Sequence, residues 1–247
     1  MNVTVVIPAY QASKTIGPLI AAIKKFKLPV IVVDDASDDG TAEAAEAAGA
    51  SVIRRRINGG KGAALREGIP AALRMGCEWL LMLDADGQHL VSEIPLFLDE
   101  ARKGGADLLI GNRMGRPRRT NAAALPRQQG WCRLGRPRGM PLDRWLTNLV
   151  MSRILSRVAG QEVPDTQCGF RMIRREVLEK VRISSNRFEV ESEMVVRAAR
   201  AGFRIASVPV SSVYRRQISF IRPLRDTVRF FRFLCRLKKE GCAAGPV

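Results

Sequence analysis

Long apolar runs are missing from this sequence: no stretch approaches the roughly 18 to 20 consecutive apolar residues that a bilayer span needs. The opening Met1-Asn2-Val3-Thr4 also lacks the charged-then-apolar layout of a secretory leader. Both absences argue for a cytoplasmic chain. The five cysteines (Cys77, Cys132, Cys168, Cys235, Cys242) are odd in number and include no CxxC pair, so neither a disulfide framework nor a zinc site is expected. Gly and Pro are scattered rather than periodic, and no internal repeat is found, which excludes collagenous and solenoid architectures. Acidic residues are in deficit, 24 against 41 Lys and Arg, giving a formal net charge of +17. The basic excess falls mostly after Arg113, and this asymmetry calls for an anionic partner of the second half: nucleic acid, anionic lipid or a phosphorylated substrate.

What is present is an alternation of strands and helices in a chain of 247 residues, enough for one large domain with a buried core. Residues 3–8 are a β-branched apolar run, and Ile16, Leu19, Ile20 and Ile23 then recur at helical spacing behind Ser13 as a possible cap. A second run at 30–33 ends in Asp34-Asp35 and leads to an Ala/Glu-rich helix closed by Gly49, with a third strand at 51–54. This βαβαβ order predicts a parallel sheet. Asn58-Gly59-Gly60 opens a helix that Pro70 is expected to kink or shorten, because proline lacks the amide donor. Residues 79–83 read as a buried strand, Ser92 as the cap of a helix burying Ile94, Phe97, Leu98 and Ala101, and residues 108–111 as the next strand.

From 114 to 139 periodicity gives way to Arg, Pro and Gly, which predicts a mobile loop or lid. A helix follows with Trp145, Leu149, Ile154, Leu155 and Val158 on its apolar face, then a loop at 165–170, a helix near 191–201 and a strand near 205–208. The expected organisation is a domain over 1–220, including the 114–139 loop, and a basic amphipathic tail over 221–247. In the tail Ile221, Leu224, Val228, Phe231 and Cys235 share one face, and Arg222, Arg225, Arg229, Arg232, Arg236, Lys238 and Lys239 crowd the rest. Such a helix suits a lipid headgroup layer, though a helix packed on the domain shows the same stripe.

Ligands of open parallel sheets bind beyond the carboxyl ends of the strands, where this chain places Tyr10, Asp34-Asp35, Asp84-x-Asp86 and Asn112-Arg113. Residues two apart in an extended segment point the same way, so Asp84 and Asp86 can face one hard cation with positions left for diphosphate oxygens. Two aspartates in a loop can equally be capping or solvated charges. The single histidine, His89, reads as a structural neighbour of this pair.

The conjunction of segments is more specific. Val5-Val6-Ile7-Pro8-Ala9-Tyr10, Val32-Val33-Asp34-Asp35-Ala36-Ser37-Asp38-Asp39-Gly40-Thr41, Asn58-Gly59-Gly60-Lys61-Gly62, Asp84-Ala85-Asp86-Gly87-Gln88-His89 and Gly111-Asn112-Arg113 occur in that order. They resemble the signature of family 2 glycosyltransferases with the GT-A fold, a Rossmann-like, mostly parallel sheet flanked by helices. Asp165-Thr166-Gln167-Cys168-Gly169-Phe170-Arg171 and Phe188-Glu189-Val190-Glu191-Ser192-Glu193 resemble the branch containing dolichyl-phosphate mannose synthase and bacterial polyprenyl-phosphate glycosyltransferases, over about residues 2–232. Ala12, where the family often has an acidic residue, Pro70 and the long Arg/Pro/Gly insert depart from the pattern.

The resemblance implies that Pro8, Tyr10, Val33 and Asp35 hold the nucleoside of a GDP- or UDP-hexose, and that Asp84, Asp86 and Gln88 ligate Mg²⁺ or Mn²⁺. Arg113, Arg144, Arg215 and Arg222 would meet phosphates, a role suited to a planar guanidinium. Lys61 could reach a phosphate or a neighbouring carboxylate. It also implies an inverting displacement, with Asp86, Arg113 and Asp165 at the reacting centre. A hydroxyl acceptor, such as a saccharide or a glycerolipid, needs a base, for which Asp165 is the candidate; a polyprenyl phosphate is already anionic and needs none. In that second case Asp165 and Glu193 would orient arginines. The expected setting is the cytoplasmic face of an anionic membrane. Nucleic acid is the disfavoured partner, because the carboxylate-lined strand ends would repel a polyanion and no known binding signature occurs.

Overall fold

The computed structural model describes residues 1–114, 137, 139–187, 189–211 and 213. Nearly all of the expected 114–139 loop, the whole 221–247 tail, Arg215 and Arg222 lie outside these residues. The elements in chain order are β1 (Val3–Ala9), α1 (Ser13–Lys24), β2 (Val30–Asp34), α2 (Thr41–Ala47), β3 (Ser51–Arg54), α3 (Lys61–Arg74) and β4 (Trp79–Met82). A 3-10 turn (Val91–Glu93) then leads into α4 (Ile94–Arg102), β5 (Leu108–Asn112), α5 (Leu142–Ala159), β6 (Arg171–Arg174), α6 (Arg175–Lys180), α7 (Glu189–Arg200) and β7 (Ile205–Pro209).

One sheet of seven strands, in the order β3-β2-β1-β4-β6-β5-β7, runs through the described residues. The pairs β3–β2, β2–β1, β1–β4 and β5–β7 are parallel, as βαβ connections require. Short β6 enters antiparallel between β4 and β5. The sequence reading had no strand there, because four residues framed by Arg171 and Arg174 carry no apolar run. Strands β2 and β4 are buried along their whole length, which explains their unbroken apolar composition. Helices cover the sheet, and Phe97 of α4 stacks on Phe170 with ring centroids 4.2 Å apart.

Three local expectations are corrected. Ser13 and Ser92 cap nothing through their side chains: Ala12 precedes α1, and Ser92 sits inside the 3-10 turn. Pro70 does not end α3, which continues to Arg74. Pro70 and Arg66, whose carbonyl loses its amide partner, are both exposed, so water can satisfy the orphan. The buried face of α5 is Asn148, Ser152 and Leu155, so of its expected apolar face only Leu155 is buried. No helix among the described residues is long and apolar enough to cross a membrane.

Candidate active site

The carboxyl ends of β1, β2 and β4 build one wall. Pro8 is half-buried and Tyr10 exposed at the end of β1. Val33 is fully buried, and a Cβ on Gly68 would come within 2.9 Å of it, so its side chain supports the crevice from behind. The buried Asp35 carboxylate accepts from the amides of Gly59 at 3.0 Å and Gly60 at 2.6 Å and pairs with Arg55, which also holds Glu67 at 2.8 Å. Gly60 is required there: its φ is +88°, and a Cβ would lie 2.7 Å from the Asn186 carbonyl. That same carbonyl accepts from the Gly62 amide at 2.8 Å, so the first turn of α3 is closed by protein.

The next cluster is centred on Asp84. Lys61 bridges Asp84 and Glu191, and His89 Nε2 lies 3.3 Å from the other Asp84 oxygen. Burial alone would raise the Asp84 pKa, but the Lys61 charge and His89 outweigh it and hold the carboxyl well below the usual range. Lys61 is raised for the reciprocal reason, its two carboxylate partners outweighing desolvation. Asp86 shifts the other way, upward, through burial and the neighbouring Asp84 charge. Two carboxylates close enough to oppose each other's ionisation make a place where a hard cation would be stabilised.

The backbone of Gln88 donates to Asp86 Oδ1 at 2.9 Å, which brings Gln88 beside the pair, while no group of three His, Cys, Asp or Glu forms a cage among the described residues. Asp84 and Asp86 are thus neighbouring carboxylates, with Asp84 Oδ1 held by Lys61 and Oδ2 beside His89, and they are the candidates to meet a hard cation. Gly169 explains itself here: a Cβ would lie 2.0 Å from Asp84 Oδ2.

A second cluster lies at the end of β5 and against α5. Asp165 is buried, and each of its oxygens accepts twice. Oδ2 takes Arg113 Nε at 2.7 Å and the Arg113 amide at 3.0 Å, and Oδ1 takes Arg113 Nη2 at 2.9 Å and Asn148 Nδ2 at 2.8 Å. Burial pushes the Asp165 pKa up, but the Arg113 guanidinium and these donors overcome it and keep it below the ordinary range. Ser152 ties Asn148 to Thr166. Arg144 is half-buried in the first turn of α5.

A profile of the family described as "Glycosyl transferase family 2" matches residues 4–182. The chain belongs to glycosyltransferase family 2. It is 31% identical over 227 residues to undecaprenyl-phosphate mannosyltransferase of Micrococcus luteus, covering 87% of this chain and 85% of that one. It is also 31% identical over 223 residues to polyprenol monophosphomannose synthase of Mycolicibacterium smegmatis, covering 85% and 77%. Among solved structures, glucosyl-3-phosphoglycerate synthase of Mycobacterium tuberculosis, in complex with Mn²⁺, UDP and phosphoglyceric acid, superposes with a TM-score of 0.66 at 20% identity, over 94% of this chain and 75% of that one. The shared fold is the α/β arrangement of a mostly parallel sheet flanked by helices.

In this glycosyltransferase the fold links Asp35, Asp84, Asp86 and Gln88 on loops with Lys61 at the start of α3, and pairs the half-buried Arg113 with the buried Asp165. Sequence reasoning missed Arg55, Asn148 and the Lys61–Glu191 bridge. A polar Asn148 at a helix position facing the core was the available signal. It also missed Arg171, fully buried, which donates to the carbonyls of Cys168, Thr166 and Glu191 at 2.7–2.8 Å and so holds the 165–170 loop against α7. Glu193, expected to orient arginines, pairs with Arg197 at 2.9 Å but also accepts from the Ser184 and Ser185 amides. Burial pushes the Cys168 thiol pKa up to about 12, which disfavours the thiolate.

Proposed function

We propose that this enzyme moves a hexose from a uridine or guanosine diphosphate sugar to a polyprenyl phosphate, with inversion at the sugar carbon. The observation that carries the choice of acceptor is the closed state of Asp165. A hydroxyl acceptor needs a group to take its proton, yet all four acceptor positions of this carboxylate are filled by Arg113 and Asn148. A phosphate monoester attacks as an anion and needs no base. Asp165 then acts by fixing the Arg113 guanidinium, a planar cation of the kind that pairs with phosphate oxygens. The names of the polyprenyl-phosphate relatives support the same acceptor class.

On the donor side, Tyr10, Pro8 and the Asp35 loop would receive the nucleoside. Asp84, Asp86 and Gln88 would hold a divalent cation, Mg²⁺ or Mn²⁺, which when bound neutralises charge on the departing nucleoside diphosphate. Lys61 and His89 keep Asp84 ionised and oriented for this. Arg144, and Arg215 and Arg222 beyond the described residues, would complete the phosphate contacts. The lipid acceptor implies peripheral work at an anionic membrane, to which the basic 221–247 segment would contribute.

The test is transfer from radiolabelled UDP- and GDP-hexoses, with Mn²⁺ or Mg²⁺, to polyprenyl phosphate against neutral saccharide and glycerolipid acceptors. Label is expected in the lipid phosphate fraction only. Product on neutral acceptors alone would replace this reading with hydroxyl glycosylation.

A further inference from the structure

Helix α5 buries two polar residues while exposing three apolar ones along one face. Its buried positions include Asn148 and Ser152, while Leu142, Leu146 and Val150 are 53%, 47% and 54% exposed. Spaced by four, these three lie along one face, and Arg153 and Arg157, both exposed, continue the same face over the next two turns. Single exposed leucines are unremarkable on any surface. A stripe of apolar side chains running into arginines, on a helix that buries Asn148 and Ser152, is instead the layout of a segment that lies on a lipid headgroup layer.

We propose that the outer face of α5 is the surface by which this enzyme rests on an anionic bilayer. Leu142, Leu146 and Val150 enter the boundary between headgroups and acyl chains, and Arg153 and Arg157 meet lipid phosphates. The assignment builds on the lipid-phosphate acceptor proposed above and locates where that acceptor's membrane meets the protein. The argument for lipid over a protein partner is charge. The exposed Arg153 and Arg157 outnumber the one exposed carboxylate beside the stripe, Asp143, on a chain of net charge +17, which matches an extended anionic surface. Function follows from the other side of the same helix. Asn148 holds Asp165 at 2.8 Å, and Asp165 holds Arg113, so one rigid element carries the membrane contact outward and the phosphate-binding arginine's support inward.

The experiment uses the full chain and vesicles of phosphatidylcholine and phosphatidylglycerol in equal parts. The Leu146→Glu/Val150→Glu double variant should lower vesicle partitioning by about tenfold, because it places charge where apolar area would be buried. Met75→Glu, which adds charge at an exposed apolar position outside α5, should change it little. Arg153→Gln/Arg157→Gln, which keeps the stripe and removes the charge, should weaken binding several-fold to these vesicles and not to pure phosphatidylcholine. Transfer to a short, water-soluble prenyl phosphate should be unchanged in all of them. Wild-type partitioning in both α5 variants would overturn the proposal. So would a wild-type dimer that dissociates in the double variant, which would make the face a contact between copies. Absence of transfer to any prenyl phosphate by the wild type would instead sink the acceptor reading, and the vesicle measurements would stand apart from it.

Discussion

The two polar clusters, around Asp84 and around Asp165, handle charge in opposite ways. Beside β4, Asp84 and Asp86 have unlike pKa shifts, Asp84 lowered by Lys61 and His89 and Asp86 raised by burial and the Asp84 charge. On the acceptor side, Asp165 and Arg113 cancel each other in a pair whose carboxylate accepts from four donors. On the proposed reading, the first arrangement binds and the second holds still. A buried ion pair is costly to desolvate and contributes little net stability, so its value lies in fixing one guanidinium.

Four changes would break or sharpen this contrast. The largest effect is expected from Asp86→Asn, which should lower transfer by about a thousandfold while leaving the melting temperature unchanged or slightly raised, since it removes one of two opposed charges. Titration calorimetry with Mn²⁺ should show the matching loss of cation binding, and full activity would refute the donor-side assignment. Arg171→Met should destabilise the fold by about 3 kcal/mol in urea unfolding, because three buried carbonyls lose their donor.

Asp165→Asn should reduce activity about a hundredfold by freeing Arg113, with the shape of the pH–rate profile kept. A vanished acidic limb in that profile would restore Asp165 as a base. The smallest effect concerns Glu93, buried beneath the exit of β7, where it accepts from the Ser211 amide at 2.9 and 3.1 Å. Desolvation raises its pKa to about 7, against the pull of those bonds. A carboxyl with a raised folded-state pKa adds stability below its unfolded value, and that contribution is lost as pH rises through about 7. Wild-type protein should therefore lose about 1 to 2 kcal/mol relative to Glu93→Gln between roughly pH 5 and 8, measured by chemical unfolding across that range.

The donor half was legible because its information is local. Apolar runs end in carboxylates, so Asp35, Asp84 and Asp86 could be assigned to strand ends from order alone. The acceptor half was harder to read. Strand β6 and the inward Asn148 depend on partners far along the chain: Arg171 pairs with Met82 of β4 and Ile110 of β5, and Asn148 turns inward to meet Asp165. Pro70 and Ser92 misled for the converse reason, since solvent on an exposed helix face and a preceding 3-10 turn override local rules.

From the sequence alone came the alternating architecture, the family and the pair of aspartates at one sheet edge, because periodicity and residue order record them directly. Only the tertiary structure decided that Asp165 is closed off by Arg113 and Asn148, that Lys61 belongs to Asp84 and Glu191, and that α5 shows Leu142, Leu146 and Val150 to the outside. Those outcomes rest on which buried polar groups find each other across long chain separations, and no local pattern encodes that choice.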